Sequence, residues 1–305
     1  MSILSIVALK LARTFSVVVI VTTGCFIVMA LLPGDPAELA LRDASEAVSQ
    51  EKIEQTRHIL GLDKSLWRRA VIWIQGIAHL DFGRSYRTGE PVIREILSRM
   101  GTTISLALFT IVWVIPCSIA GAWMSVKSRR LQILFSTIGL LGYTVPDYVL
   151  GLGLLLIAGV ILKIPAESLP FLPVLTLGLP MFAFYLNVTH TLLVQALNTD
   201  FIRFAYAKGL SERTVLLNHI LPFIIPSLLV PWAMSLGRLL AGAIVVETIF
   251  GLSGIGRLFV DSILSRDYPV ILALVLWSGW VIGILVSLAD VIVTLVNPDV
   301  ESSGL

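Results

Sequence analysis

Four charged side chains interrupt stretches that are otherwise apolar: Asp147, Arg238, Glu247 and Asp290. A charge at the centre of a membrane-spanning helix costs roughly 2.5–3.5 kcal/mol on insertion scales, so each needs an opposite charge, water or a cargo group. Asp147 and Arg238 fall near the middles of their stretches. They are expected to face a common polar interior, either as an ion pair that fixes helix orientation or as contacts to a charged cargo. Glu247 lies close to the outer end of its stretch, with a route to water, and Asp290 lies near the inner end. Asp147, Arg238 and Glu247 are the translocation-path candidates. The same carboxylates would serve as a proton relay in an ion-coupled secondary transporter, but that reading also needs an internal repeat, and none is found.

Other chemistry finds little support. The four histidines, His58, His79, His190 and His219, are scattered, so no metal-ligand set forms. Cys25 and Cys117 fall in different apolar stretches at different depths and read as small packing residues rather than a disulfide. Asp81-Phe82-Gly83 spells a kinase magnesium motif, but no glycine-rich phosphate loop or catalytic-loop signature accompanies it. No G-x-x-x-x-G-K-[ST] sequence occurs, so nothing here cradles nucleotide phosphates. No nucleophile and base stand in catalytic register. The chain reads as a non-enzyme without a cofactor of its own, and any dependence on ATP must come from another chain.

The elements that carry these charges are membrane spans. Of 305 residues, 56% are apolar and 14% charged, and the mean hydropathy is +0.92, where a soluble domain carries about 25% charged residues. Apolar runs near 20 residues match a hydrocarbon layer of about 30 Å, and long unalternating runs exclude a β-barrel. The expected class is an all-α polytopic membrane protein with six spans, near 11–32, 101–126, 133–162, 172–197, 223–249 and 270–296. The first reads as a retained span rather than a signal peptide, since its apolar run is too long. One side carries Lys10, Arg13, Lys127, Arg129, Arg130, Arg203, Lys208 and Arg213, eight in all, against three, Lys163, Arg257 and Arg266, on the other. The positive-inside rule then makes both termini and the 198–222 loop cytoplasmic.

Three regions follow: a first segment and span, 1–32; an extracytoplasmic segment, 33–100; and a five-helix core, 101–305. In 33–100 the apolar spacing of Ile53, Ile59, Leu60 and Leu62, then Trp67, Val71, Ile74 and Ile77, predicts short amphipathic helices. Trp67, Trp73 and Phe82 suit a membrane interface or a docking surface for an outer binding protein. Pro146 interrupts the third span, while Pro222, Pro226 and Pro231 crowd the fifth; each removes a donor and kinks its helix unless neighbours compensate. Gly279 and Gly283 form a G-x-x-x-G in the last span, expected to allow close helix packing.

Between the fourth and fifth spans lies a polar island, Arg203 to Arg213, running on to Leu221-Pro222. It reads as a short helix, a turn at Gly209, a second short helix, and a proline opening the next span. Ala205, Ala207 and Gly209, with Leu-Pro a dozen residues on, resemble the EAA loop of ABC-importer permeases. Further signatures stand in order: Leu32-Pro33-Gly34-Asp35-Pro36, Leu60-Gly61-Leu62-Asp63, Leu80-Asp81-Phe82-Gly83-Arg84-Ser85, Gly242 to Phe250, Gly254-Ile255-Gly256-Arg257 and Arg266-Asp267-Tyr268-Pro269-Val270-Ile271. Over essentially the whole chain this order resembles the first permease subunit of dipeptide, oligopeptide and nickel ABC importers. Arg203 stands where many relatives carry an acidic residue, His219 replaces an isoleucine, and Ser253 a proline.

The resemblance implies an ABC type I importer permease fold in a bacterial or archaeal inner membrane. It also implies a homologous second permease, two ATP-binding subunits that hold ATP and Mg, and an extracytoplasmic solute-binding protein. Arg203, Ala205, Ala207, Lys208, Gly209, Leu210, Ser211 and Glu212 would form the coupling surface that docks on the ATPase. The implied cargo is a short peptide, with nickel or a metal chelate as the nearest alternative.

Overall fold

The computed structural model describes residues 3–31, 34–43, 49–165 and 169–296, and among them every regular element is helical. The order is α1 (Ile3–Leu31), α2 (Pro36–Asp43), α3 (Gln50–Ile59), α4 (Leu66–Ala78), α5 (Val92–Lys127), α6 (Arg129–Thr144), α7 (Asp147–Leu156), α8 (Phe171–Leu197), α9 (Asp200–Ala207), α10 (Glu212–Val215), α11 (Leu221–Ile249), α12 (Ile255–Leu264) and α13 (Tyr268–Val296). Single π turns follow α7 (Ile157–Ile161) and α10 (Leu216–Ile220). Among the described residues, four helical stretches are long and apolar enough to cross a membrane: Lys10–Met29, Val92–Lys127, Phe171–Leu197 and Tyr268–Leu288.

The third expected span, 133–162, is not one helix. It forms as α6 and α7, parted before Pro146, whose extended backbone (φ −59°, ψ 143°) starts α7. The proline ring clashes with the carbonyl four residues back, and it drives Val145 away from helical geometry. Pro222 sits in the first turn of α11, while Pro226 and Pro231 lie inside it, and α11 nonetheless runs unbroken for 29 residues. α5 begins nine residues before the expected second span and runs for 36 residues.

The chain forms two compact units. One comprises 1–7, 104–250 and 285–305, the other 8–103 and 251–284. In the first, α8 is the central helix, its buried residues running from Leu172 to Ala196. Its glycine makes one close approach: a Cβ on Gly178 would stand 2.4 Å from the Trp113 ring. In the second unit, Val92 and Ile96 of α5, Ile255 and Leu258 of α12, and Val270, Ala273 and Leu274 of α13 make a common core. Short helices do form in 33–100, with Ser49 and Ser65 capping α3 and α4 through their hydroxyls. Trp67 is exposed. Phe82 is half-buried and packs on the core just named. The G-x-x-x-G of α13 does allow close packing: Cβ atoms on Gly279 and Gly283 would lie 2.9 Å from Val18 and 2.0 Å from Thr14 of α1.

Candidate functional site

The polar island is built on a buried strip. α9 turns Ile202 and Ala205 into a core shared with Ala122, Leu193, Ala196, Val215, Ile220, Ile224 and Leu228. Arg203, Phe204, Ala207 and Lys208 stay on its exposed side. The two small residues therefore differ in role. Ala205 lets the helix sit close on its neighbours, and Ala207 leaves the outer face flat.

α9 ends in a Schellman turn. The Leu210 amide donates to the Ala205 carbonyl (3.4 Å) and the Gly209 amide to the Tyr206 carbonyl (2.9 Å), with Gly209 at φ +77°. That left-handed backbone suits glycine because it has no Cβ to clash. Ser211 then caps α10, its hydroxyl accepting from the Thr214 amide at 3.3 Å. Glu212 pairs with Lys127 at the end of α5, and the Lys127 ammonium also lies 4.9 Å from the Trp123 ring. Lys127 entered the sequence reading only as an orientation charge. The pairing joins residues 85 apart, which no local pattern reveals.

Of the translocation-path candidates, two are brought together. Asp147 stands in the first turn of α7 rather than mid-helix. There the helix dipole and free amides favour a carboxylate, which lowers the burden inferred from a mid-span position. Its Oδ2 lies 3.2 Å from where a Cβ on Gly242 would be. Arg238 is one turn before Gly242 on the same face of α11 and is close enough to interact electrostatically with Asp147 and Tyr185.

Glu247 is separate from that pair. At about 100° and 1.5 Å per residue it lies on the opposite side of α11, roughly 13 Å further along. It is also fully buried, at 0% exposure, with Ala243 and Val246 on its flank. The expected route to water is therefore closed. Its outer-end position was legible, but the face it presents to the core was not. The side chain of Asp290 lies outside the described residues.

Tyr185 was missed altogether. Its hydroxyl donates to the Pro231 carbonyl at 2.9 Å and meets the Ser235 hydroxyl. These groups anchor α8 to α11 beside the proline.

A second constellation ties the signatures of the other unit together. Asp267, only 2% exposed, accepts from the Ser85 hydroxyl, the Tyr86 amide at 3.0 Å and the Arg87 amide at 3.4 Å. The Ser85 hydroxyl in turn accepts from the Thr88 amide at 3.0 Å, and the Thr88 hydroxyl donates to Glu95. The Asp81 carboxylate accepts from the Gly83 amide at 2.9 Å, so the kinase-like triplet is a local turn. A Cβ on Gly34 would strike the Arg266 guanidinium at 2.4 Å, and Asp35 pairs with Arg57 at 2.6 Å. Two stretches quoted separately from the sequence, 80–85 and 266–271, thus form one hydrogen-bonded clasp, and Gly34 of a third packs against Arg266.

A helical membrane protein with an exposed, capped polar knob and no nucleotide-binding motif is the class these features define. Residues 114–302 match the family described as "Binding-protein-dependent transport system inner membrane component", and residues 4–107 match its N-terminal companion. The chain belongs to this family of ABC-importer permeases, in the dipeptide, oligopeptide and nickel group. It is 31% identical over 304 residues to the nickel import system permease protein NikB of Staphylococcus aureus strain MRSA252, covering 98% of this chain and 92% of that one. The protein of the same name from the bovine strain RF122 is 31% identical over 295 residues, covering 95% and 89%. A solved structure of the MetNI methionine ABC transporter in an inward-facing form superposes with a TM-score of 0.55 at 16% identity, over 67% of this chain and 95% of that chain. That likeness concerns the fold.

Proposed function

We propose that this permease is the first of two homologous membrane subunits in an importer that takes up short peptides, driven by two ATPase subunits and fed by an outer binding protein. The observation that carries the reading is the 203–213 knob: a buried strip fixes it, Gly209 turns it, and its outer face is exposed, tied to α5 by the Lys127–Glu212 pair. Such a knob receives force through the Arg203, Ala207, Lys208, Ser211 and Glu212 side. ATP and Mg belong to the partner subunits. The chain does no covalent chemistry.

In this reading α11 and the α6–α7 pair are the remaining two of six spans, with both termini and the 198–222 loop inside the cell and 33–100 outside it. Asp147 and Arg238 offer one charge of each sign, which suits the two termini of a peptide. The similarity to nickel import permeases favours a second cargo, nickel in chelated form.

Gly209→Ala tests the coupling role. A Cβ there meets open space, so the variant stays folded and carries only a left-handed backbone strain of about 1 kcal/mol. It is expected to bind the ATPase more weakly and to lower transport per ATP hydrolysed, with Gly209→Asn intermediate. Transport at full coupling in Gly209→Leu, or failure of any ATPase to co-purify with the wild type, would count against the proposal. Uptake of labelled dipeptide against labelled nickel chelate decides the cargo.

A further inference from the structure

Two adjoining clefts in the unit formed by 8–103 and 251–284 have no role in the import reading. The inner one, about 430 Å³, is lined by Phe26 and Met29 of α1, Leu66 of α4, and Tyr268 and Leu272 of α13. The outer one, about 720 Å³, is lined by Lys64, Ile72, Asp81 and Phe82, with the backbone of Gly61 and Gly83. Arg69, Trp73, Tyr86 and Pro269 line both. The walls are thus apolar on the α1–α13 side and cationic toward Lys64 and Arg69, against one carboxylate, Asp81, already engaged by the Gly83 amide.

Two polar groups in these walls are poised as donors. The Trp73 indole N–H is buried and has no hydrogen-bond partner among the described residues. A buried unpaired donor forfeits roughly 1–3 kcal/mol, which makes an absent acceptor the natural explanation. The Arg69 guanidinium lies 6.0 Å over the Tyr268 ring, held toward the cleft. Burial pushes the Tyr86 phenol up while Arg69 pulls it down, so the hydroxyl keeps its proton at neutral pH. On the other side of α4, Trp67 and Ile74 are exposed. A short helix with bare tryptophan and isoleucine beside basic residues is the pattern of an element lying in a membrane interface.

We infer that this cleft binds the phosphate of a phospholipid from the outer leaflet, with Arg69, Lys64 and the Trp73 N–H on the phosphodiester and an acyl chain along Phe26, Met29 and Leu272. The inference goes beyond the transport reading. It rests on α1 and α13 as membrane spans and, for the choice of leaflet, on the outside placement of 33–100 proposed above. The lipid fills the gap between the amphipathic helix α4 and the two spans, and so fixes α4 against the membrane.

The test uses the full chain in its purified complex, stripped in neutral detergent and titrated with short-chain phosphatidylglycerol under native mass spectrometry. Retained lipid is expected on the wild type, at least tenfold above dioctanoylglycerol, which lacks the phosphate. Trp73→Phe keeps an aromatic ring and loses the N–H together with the five-membered ring that carries it, and is expected to weaken retention about fivefold at unchanged melting of the complex. Arg69→Gln should weaken it at least as much, and the exposed Lys64→Ala about twofold without burden on folding. Equal retention of dioctanoylglycerol overturns the proposal by reducing the cleft to an apolar slot. Displacement of the lipid by millimolar inorganic phosphate overturns it in favour of a free-anion site. Wild-type retention in both Trp73→Phe and Lys64→Ala also overturns it. No ATP or cargo enters the measurement, so a negative result leaves the import reading standing. Loss of ATPase binding in Gly209→Leu leaves the lipid site standing.

Discussion

The 203–213 knob and the Asp267 clasp are both polar constructions in an apolar protein, but they are built at opposite ranges. The knob is continuous in sequence: helix, Schellman turn, cap and second helix follow within about 15 residues, and each backbone bond reaches no more than five residues back. The clasp joins Ser85 to Asp267, 182 residues away. The knob's polar groups are largely exposed, whereas Asp267 and Ser85 are buried. A surface built from local bonds survives loss of any one side chain and changes what it touches. A buried hydrogen-bonded centre does the reverse: its loss is felt as stability, because the remaining donors are left without acceptors.

The largest expected effect is therefore in the clasp. Asp267→Ala strands the Ser85 hydroxyl and the Tyr86 and Arg87 amides, and should destabilise this unit by about 3 kcal/mol. Melting of the detergent-solubilised complex and proteolysis between residues 83 and 91 would register it. Burial is the main influence on the Asp267 carboxyl and raises its pKa, against the Ser85 hydroxyl and the Tyr86, Arg87 and Val270 amides. The folded state then holds this proton more tightly than the unfolded state. Its contribution is full below the ordinary carboxylate pKa and declines as pH rises from there to the raised value. Asp267→Asn should flatten that decline. A pH-independent difference between wild type and Asn would break the assignment.

An intermediate effect separates the two halves of the knob. Ala205→Leu forces three heavy atoms into a filled core and should lower stability by about 2 kcal/mol, as overpacking does. Ala207→Leu adds the same atoms to the exposed face and should leave melting unchanged within about 0.5 kcal/mol. Only the second should weaken ATPase binding without loss of folded protein, read by co-purification at equal expression. If both variants lose stability equally, the division between a buried strip and an outer face is wrong.

How much of this was legible follows the same division of range. The turn at Gly209 and the break at Pro146 are visible because glycine and proline act on the backbone next to them. Pro226 and Pro231 were visible too, yet α11 absorbs them, and sequence alone does not reveal that Tyr185 and Ser235 supply polar contacts there. A single span over 133–162 puts Asp147 at its middle, with Pro146 as no more than a kink. Once the helix restarts at Pro146, the same residue becomes a first-turn carboxylate. Glu247 was misjudged for another reason. Depth along a span is readable from position, but the face depends on which neighbours α11 meets. The clasp was present as two motifs in register, and the hydrogen bonds between them become visible only when the fold closes a gap of some 180 residues.

The smallest expected effect lies where the knob meets α5. Lys127 and Glu212 form an ion pair whose side chains are both substantially exposed, so its worth to stability is at most about 1 kcal/mol and falls with salt. Its value to coupling is a separate matter, because Glu212 sits in the first turn of α10 and Lys127 in the last turn of α5. If the knob couples as proposed, a tie there would make a push on it reach α5 before the intervening side chains have to repack. Lys127→Glu and Glu212→Lys should each leave melting nearly unchanged and lower transport per ATP by about twofold, while the double exchange restores it. Additivity in the double variant would reduce the pair to a surface contact and leave the Ile202–Ala205 strip as the sole route by which the knob moves the membrane helices.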